Sequence, residues 1–347
     1  MDVRSHIMVG KPTSYLALAL LAVALLSFLY LGSALVAQHP ANASATVRVS
    51  YAYSISAMPF WVAEDLGYFK QANITVEGTS YQALSLITQS VLSGKADVGV
   101  PIGSADLFAI DAVQPGQFKV FMVEAMTLSG TNTSGVMVRP NSAYESLADL
   151  KGKRIAIYPG LTAKANSRWL LGRYFNASNM TYIATQQSAI LGALAANQVD
   201  AILTVQPIMI NAVKTGVARN LPNSTNAENL NPNPEGVYAF SSAFAEQNPG
   251  AAARFANAME NAMKYIEADP QGTLRILASH MNMTLGQLES NDTRTPWMSL
   301  AMINGTFSGQ FGNASAAATL QKLADRYYES GYINGTVNLS DVTYVQK

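Results

Sequence analysis

The residues in this sequence best suited to chemistry stand where loops run into predicted helices: Ser54, Trp61, Ser80, Tyr81, Ser104, Gly160, Thr162 and Gln206. A helix N-terminus leaves backbone N–H groups unpaired and carries partial positive charge, so it suits nitrate, sulfonate, carboxylate or phosphate. Three such termini are expected, at Ser80-Tyr81, at Gly103-Ser104 and at Gly160-Leu161-Thr162. Ser80, Ser104 and Thr162 are equally good N-caps, a duty that needs no ligand. Trp61 reads either as a core residue of its helix or as a cleft wall against a solute. Tyr51, Tyr53 and Tyr158, near strand ends, carry the same alternative. A neutral amide at Gln206 accommodates an anionic or an uncharged ligand. Lys164 and Arg168 follow Thr162 on its helix, as surface charges or as cleft residues.

Catalysis finds little support. The chain has no cysteine, which excludes disulfides, thiolate metal sites and cysteine nucleophiles. Its three histidines, His6, His39 and His280, are scattered, and there is no HExxH, GxSxG or P-loop. The carboxylates show no clustered pattern. No catalytic residue, metal site or cofactor is therefore expected. The formal net charge of zero gives no basic surplus for nucleic acid.

The elements that must hold these residues alternate strand and helix. Val47, Val49, Tyr51 and Tyr53 have the period-2 pattern of a strand. Pro59 suits the first turn of the helix that follows, and Gly67 its end. Ile74 to Val76 is the next strand, so the opening is a βαβ unit with a parallel sheet. Ligands sit beyond the carboxyl ends of such strands, which makes Ser54 to Trp61 the first candidate edge. A helix over Tyr81 to Ser93, a strand over Ala96 to Val100, a helix over Ala105 to Val113 and a strand over Phe118 to Met126 continue the lobe. A second set has strands Val136 to Val138, Ile155 to Tyr158, Tyr182 to Ala184 and Val199 to Val205, with helices between. LSGKADVGVPIGSAD and LAANQVDAILTVQPI share one layout, each placing an Asp (Asp97, Asp200) at a strand start. Two α/β lobes of similar topology follow, 47–133 plus 236–347 and 134–235. Gly236 to Ser241 is the return crossover, and further helices follow it.

PFWVAEDLGYFKQANITVE, SGKADVGV, LADLKGKRIAIYPG, ANQVDAILTVQP and SSAFAEQNPGAAARFANAMENAMKYIEADP resemble, in order and spacing, the nitrate/sulfonate/taurine and thiamine-precursor group of ABC-transporter solute-binding proteins. The resemblance runs from about Arg48 to Pro270. It implies a two-lobed type II periplasmic-binding-protein-like fold. It also implies capture of a small solute in the cleft, delivery to an ABC permease with its ATPase subunit, and a monomer that is not an enzyme. The resemblance places a site at Thr162. It often puts an acid before Pro207, where this chain has Gln206. An enzymatic branch of the fold makes the pyrimidine of thiamine from a histidine and pyridoxal phosphate, with a cysteine-rich motif that this chain lacks. A ligand-sensing surface protein is the other alternative.

Tyr15 to Ala37 is a run of 23 almost wholly apolar residues, long enough to span a bilayer. Arg4 and Lys11 precede it, which predicts a cytoplasmic N-terminus of 14 residues and an extracytoplasmic remainder. Ala43-Ser44-Ala45 offers a cleavage site, but it lies well past the run, so an uncleaved anchor with a tether over 38–46 is the expectation. Of 24 asparagines, twelve lie in Asn-X-Ser/Thr sequons, whereas chance gives roughly four. Charged residues are only 13% of the chain, so glycan is expected to replace charge as the solubilising surface.

Overall fold

The computed structural model describes residues 44–124, 126–127, 129, 133–289, 298–299 and 316–346. The apolar run 15–37 and the sequons at Asn42, Asn132, Asn291, Asn304 and Asn313 lie outside them. Among the described residues no helix is long and apolar enough to cross a membrane.

Among the described residues, thirteen strands build two large sheets and a short ribbon. In chain order they are β1 (Ala45–Ala52), β2 (Ile74–Tyr81), β3 (Val98–Gly103), β4 (Phe118–Val123), β5 (Met126–Thr127), β6 (Ser134–Val138) and β7 (Arg154–Ile157). Then come β8 (Thr181–Ala184), β9 (Ala201–Val205), β10 (Arg219–Asn220), β11 (Asn233–Pro234), β12 (Gly236–Ser241) and β13 (Met298–Ser299). The first sheet has the order β2-β1-β3-β12-β4-β13, the second β8-β7-β9-β6-β10, and β5 pairs with β11. β1 is parallel to β2 and β3, and β7 to β8 and β9. In the first sheet β12, between β3 and β4, and β13, at the edge beside β4, run against the other strands; in the second sheet β6, between β9 and β10, does so. β6 and β12 are the strands through which the chain passes from one sheet to the other and back. The expected parallel lobes are thus mixed sheets, and apart from the edge strand β13 their topologies match.

The shared layout around Asp97 and Asp200 has a physical cause. The backbone N–H and Nε of Arg48, in β1, donate to Asp97 Oδ2 at 2.9 and 3.1 Å, and Asp97 N–H returns a bond to Arg48 O at 2.8 Å. In the second sheet, Arg154 N–H and Nε donate to Asp200 Oδ2 at 2.9 and 3.0 Å, and Asp200 N–H returns to Arg154 O at 2.8 Å. Each guanidinium also reaches a carbonyl just past the preceding helix, Gly94 O at 2.7 Å or Asn197 O at 3.0 Å. The hydrogen bonds from Arg154 hold the Asp200 carboxyl below its ordinary range. Each Asp fastens the lead-in of one parallel strand to its neighbour, away from any ligand.

Helices cover both faces of each sheet, the layering of an α/β domain. On one face of the first sheet, Phe60, Trp61, Phe240 and Phe255 are buried beneath the helices Met58–Asp65, Pro249–Ala268 and Pro270–Met281. On the other, Ile87, Phe108 and Phe118 pack with Leu320 and Tyr327 of the helix Ala316–Glu329. The second sheet is enclosed by Leu170 and Leu171 on one side and by Ile190 and Leu194 on the other.

One sequence-based boundary moves. Gly78, Thr79 and Ser80, which lie between the expected strand and the expected helix, continue β2, which stays in register with β1 as far as Ala52 and Tyr81. The helix expected from Tyr81 begins only at Leu84. An outer strand that gains its stability from one backbone ladder needs no apolar alternation, so its sequence carries little strand signal.

Candidate functional site

The carboxyl ends of the parallel strands in both sheets open onto one pocket, a cavity of about 80 Å3. Ser54 and Ser56 follow β1, Gln82 to Leu84 follow β2, Asp106 follows β3 and Glu124 follows β4. From the second sheet, Tyr158 to Gly160, Thr162, Ala163 and Asn166 follow β7, Gln187 follows β8, and Leu203 to Val205 end β9. Asn226 and Glu235, on the return to β12, complete the wall. This is the place where open α/β sheets hold ligands.

The two helix N-termini expected to receive an anion instead cap each other. Asp106 lies in the first turn of the helix Ser104–Asp111. Its carboxylate accepts from Leu161 N–H at 3.3 Å, Thr162 N–H at 3.2 Å and the Thr162 hydroxyl at 2.8 Å, at the start of the helix Leu161–Gly172. The Thr162 oxygen in turn accepts from Ala105 N–H at 3.1 Å. Gly103 makes room for this clasp, because a Cβ there would meet Thr162 Oγ1 at 2.5 Å and Asp106 Oδ2 at 2.7 Å. The C-terminal helix adds a second link, from the Tyr327 hydroxyl to Asn166 Oδ1 at 2.8 Å.

The other two carboxyls lie deeper. Glu235 Oε1 accepts from the Thr127 hydroxyl at 2.6 Å and from Asn226 Nδ2 at 2.8 Å. Glu124 is 3% exposed, and its Oε2 has no hydrogen-bond partner. Burial, followed by the neighbouring Glu235 charge, pushes the Glu124 carboxyl up to about 8, and burial raises Glu235 as well. Tyr158 stays a neutral phenol, pushed up to about 12 chiefly by burial; it shares a hydrogen with Thr204 and accepts from Val205 N–H at 3.1 Å. Among the described residues no lysine, arginine or histidine lines the pocket.

The expected site residues divide. Ser54, Gly160 and Thr162 line the pocket, and Tyr158 joins them. Trp61 does not: it is 1% exposed, stacked on His280 at 4.8 Å between ring centres, because its helix turns its whole first half into the core. Ser80 is exposed on β2, and Tyr81 ends that strand. Ser104 is fully buried and donates to Pro234 O at 3.0 Å, tying the start of its helix to the return crossover. Gln206 is buried, and its Oε1 accepts from Ile210 N–H at 3.1 Å, so it serves the helix Ile208–Lys214.

The sequence of residues 54–273 matches the family model described as NMT1/THI5 like. The chain belongs to the NMT1/THI5-like family. No curated protein matches it in sequence. In fold, this NMT1/THI5-like chain is similar to the alkanesulfonate-binding protein SsuA from Xanthomonas axonopodis pv. citri bound to MOPS, at 20% identity and a TM-score of 0.68 over 87% of this chain and 99% of that one. It is also similar to the periplasmic nitrate-binding protein NrtA from Synechocystis PCC 6803, at 14% identity and 0.66 over 84% and 82%. The desulfurization enzyme DszB has the same fold, at 14% identity and 0.60 over 86% and 96%. The architecture is the two-lobed periplasmic-binding-protein-like fold.

Sequence reasoning about this NMT1/THI5-like protein missed Asp106, Glu124, Asn226 and Glu235, which line the pocket. A signal was present: Glu124 directly follows the apolar strand Phe118–Val123, at a carboxyl end.

The buried carboxyl has a consequence for stability. Its folded-state value lies above the ordinary 4.5, so the fold favours its protonated form. That stabilisation is complete below about 4.5 and is lost as pH rises toward 8; Glu235 adds in the same direction. Urea denaturation between pH 5 and pH 9 is expected to give a stability that falls with pH, and Glu124→Gln to flatten the slope. An unchanged slope in the variant would refute the assignment.

Proposed function

We propose that this protein is the extracytoplasmic solute-binding component of an ABC importer, a binding protein rather than an enzyme. One lobe would comprise 47–133 plus 236–347 and the other 134–235, closing on a small solute and passing it to a permease with its ATPase. The observation that carries this reading is the pocket itself. Strand ends from both sheets line it, and buried polar atoms on its wall lack partners. The family and the kinship in fold with sulfonate- and nitrate-binding proteins support it. Ser54, Gly160 and Thr162 are the site residues retained from the sequence, joined by Asp106, Glu124, Tyr158, Asn226 and Glu235.

The apolar run 15–37 would hold the protein at the outer face of the membrane, with glycan covering its surface. Sequon residues Asn73, Asn176, Asn223, Asn282, Asn334 and Asn338 are all exposed, as acceptors must be.

Native mass spectrometry of the chain from its own cells, followed by a thermal-shift screen of a metabolite library, tests the whole reading. The expected result is one small molecule bound per chain, with about 2.7 kcal/mol of stabilisation at a hundredfold excess over Kd. The same spectrum is expected to exceed the 37.0 kDa of the bare full chain by the mass of glycan. A chain that binds no small molecule in either experiment would end the importer reading; a bare or shortened mass would end the glycan or anchor reading.

A further inference from the structure

Two buried oxygen atoms on the pocket wall lack partners. Glu124 Oε2 and Asn226 Oδ1, on pocket-lining residues 3% exposed each, have no partner. The orientation of the Asn226 amide is fixed by its neighbour, since Nδ2 must face Glu235 to donate at 2.8 Å. Its free atom is therefore an acceptor. Buried acceptors without partners are rare in folded proteins and ask for a donor from outside.

The helix-terminal donors that would receive an oxyanion are already engaged. Asp106 occupies the N–H groups of Leu161 and Thr162, and among the described residues no cationic side chain lines the wall. An oxyanion entering here would shed its water beside three carboxyl groups with no positive partner. Even protonated, Glu124 offers one O–H against those neighbours.

We propose that the solute is an N–H donor, a cationic or neutral amine, amidine, guanidine or amino-heterocycle, received by Glu124 Oε2 and Asn226 Oδ1. The proposal rests on the solute-binding reading and specifies the chemical class that reading leaves open. It departs from what the sulfonate- and nitrate-binding relatives in fold are named for.

The test is isothermal titration and thermal shift of the full-length chain against two matched sets. The donor set holds alkylamines, guanidines, amidines and aminopyrimidines, and the oxyanion set nitrate, bicarbonate, methanesulfonate and ethanesulfonate. The expected result is binding in the donor set alone, weakened at least tenfold by Glu124→Met, which removes the acceptor and keeps its bulk. Unliganded melting of the variant shows that it folds. Binding confined to the oxyanion set would overturn the donor assignment and leave the importer reading in place. So would a donor-set ligand indifferent to Glu124→Met. A donor set that gives no binder also overturns the assignment, and the metabolite screen then decides separately whether the chain binds any solute.

Discussion

Replacing Asp106 by alanine is expected to give the protein an affinity for oxyanions that the wild type lacks. The Asp106 carboxylate accepts three bonds from the start of the helix Leu161–Gly172, at 3.3, 3.2 and 2.8 Å. It acts there as a built-in anion. Its removal frees the N–H groups of Leu161 and Thr162, beside the pocket that Gly160 and Thr162 line, at the positive end of a three-turn helix. Hydrogen bonds to a charged acceptor are worth about 1.5–3 kcal/mol each, so a nitrate or methanesulfonate recovering even one of them would bind at least tenfold more tightly than to the wild type. The same substitution unties the clasp between the two sheets and should cost about 2 kcal/mol of stability. Titration with methanesulfonate and urea denaturation read the two effects separately. Oxyanion affinity equal to the wild type's, with unchanged stability, would show that Asp106 neither blocks an anion site nor holds the clasp.

This clasp explains why helix starts could be located from sequence but not interpreted. Gly160 and Thr162 are legible as a helix entrance because a flexible residue and a capping hydroxyl precede an apolar-periodic stretch. Nothing local says whether the donors at that entrance await a ligand or are met by a carboxylate 56 residues away. Asp106 reads as an ordinary first-turn acid, a favourable place for one on any helix. Glu124 and Glu235 are separated by the whole second sheet and meet only because β12 returns beside β4. The fold was more legible. Apolar runs, Pro59 and Gly67 mark elements through local stereochemistry, and the Arg48–Asp97 and Arg154–Asp200 pairs recur because both sheets face the same problem at strand starts. Strand direction was hidden, since a period-2 pattern is the same read either way, and the reversal of β6 and β12 needed coordinates.

Trp61 carries the largest expected effect on stability. Sequence left two roles open for it, core residue or cleft wall, and the two predict opposite outcomes for Trp61→Ala. The indole is 1% exposed, stacked on His280 with ring planes 7° apart, and meets Tyr51 edge-on at 6.4 Å. His280 is held in turn by Asp65 at 3.0 Å, so the stack fastens the helix Pro270–Met281 to the helix Met58–Asp65. Truncating a buried tryptophan to alanine costs about 3–5 kcal/mol, from lost burial and the cavity left behind. Trp61 does not line the pocket, so the fraction that remains folded should bind solute within about twofold of the wild type, a change below 0.5 kcal/mol. Urea denaturation at 10–15 °C, where marginal variants fare best, gives the first quantity, and titration under the same conditions gives the second. A tenfold loss of affinity with wild-type stability would return Trp61 to the cleft wall and show that the helix Met58–Asp65 turns toward the solute.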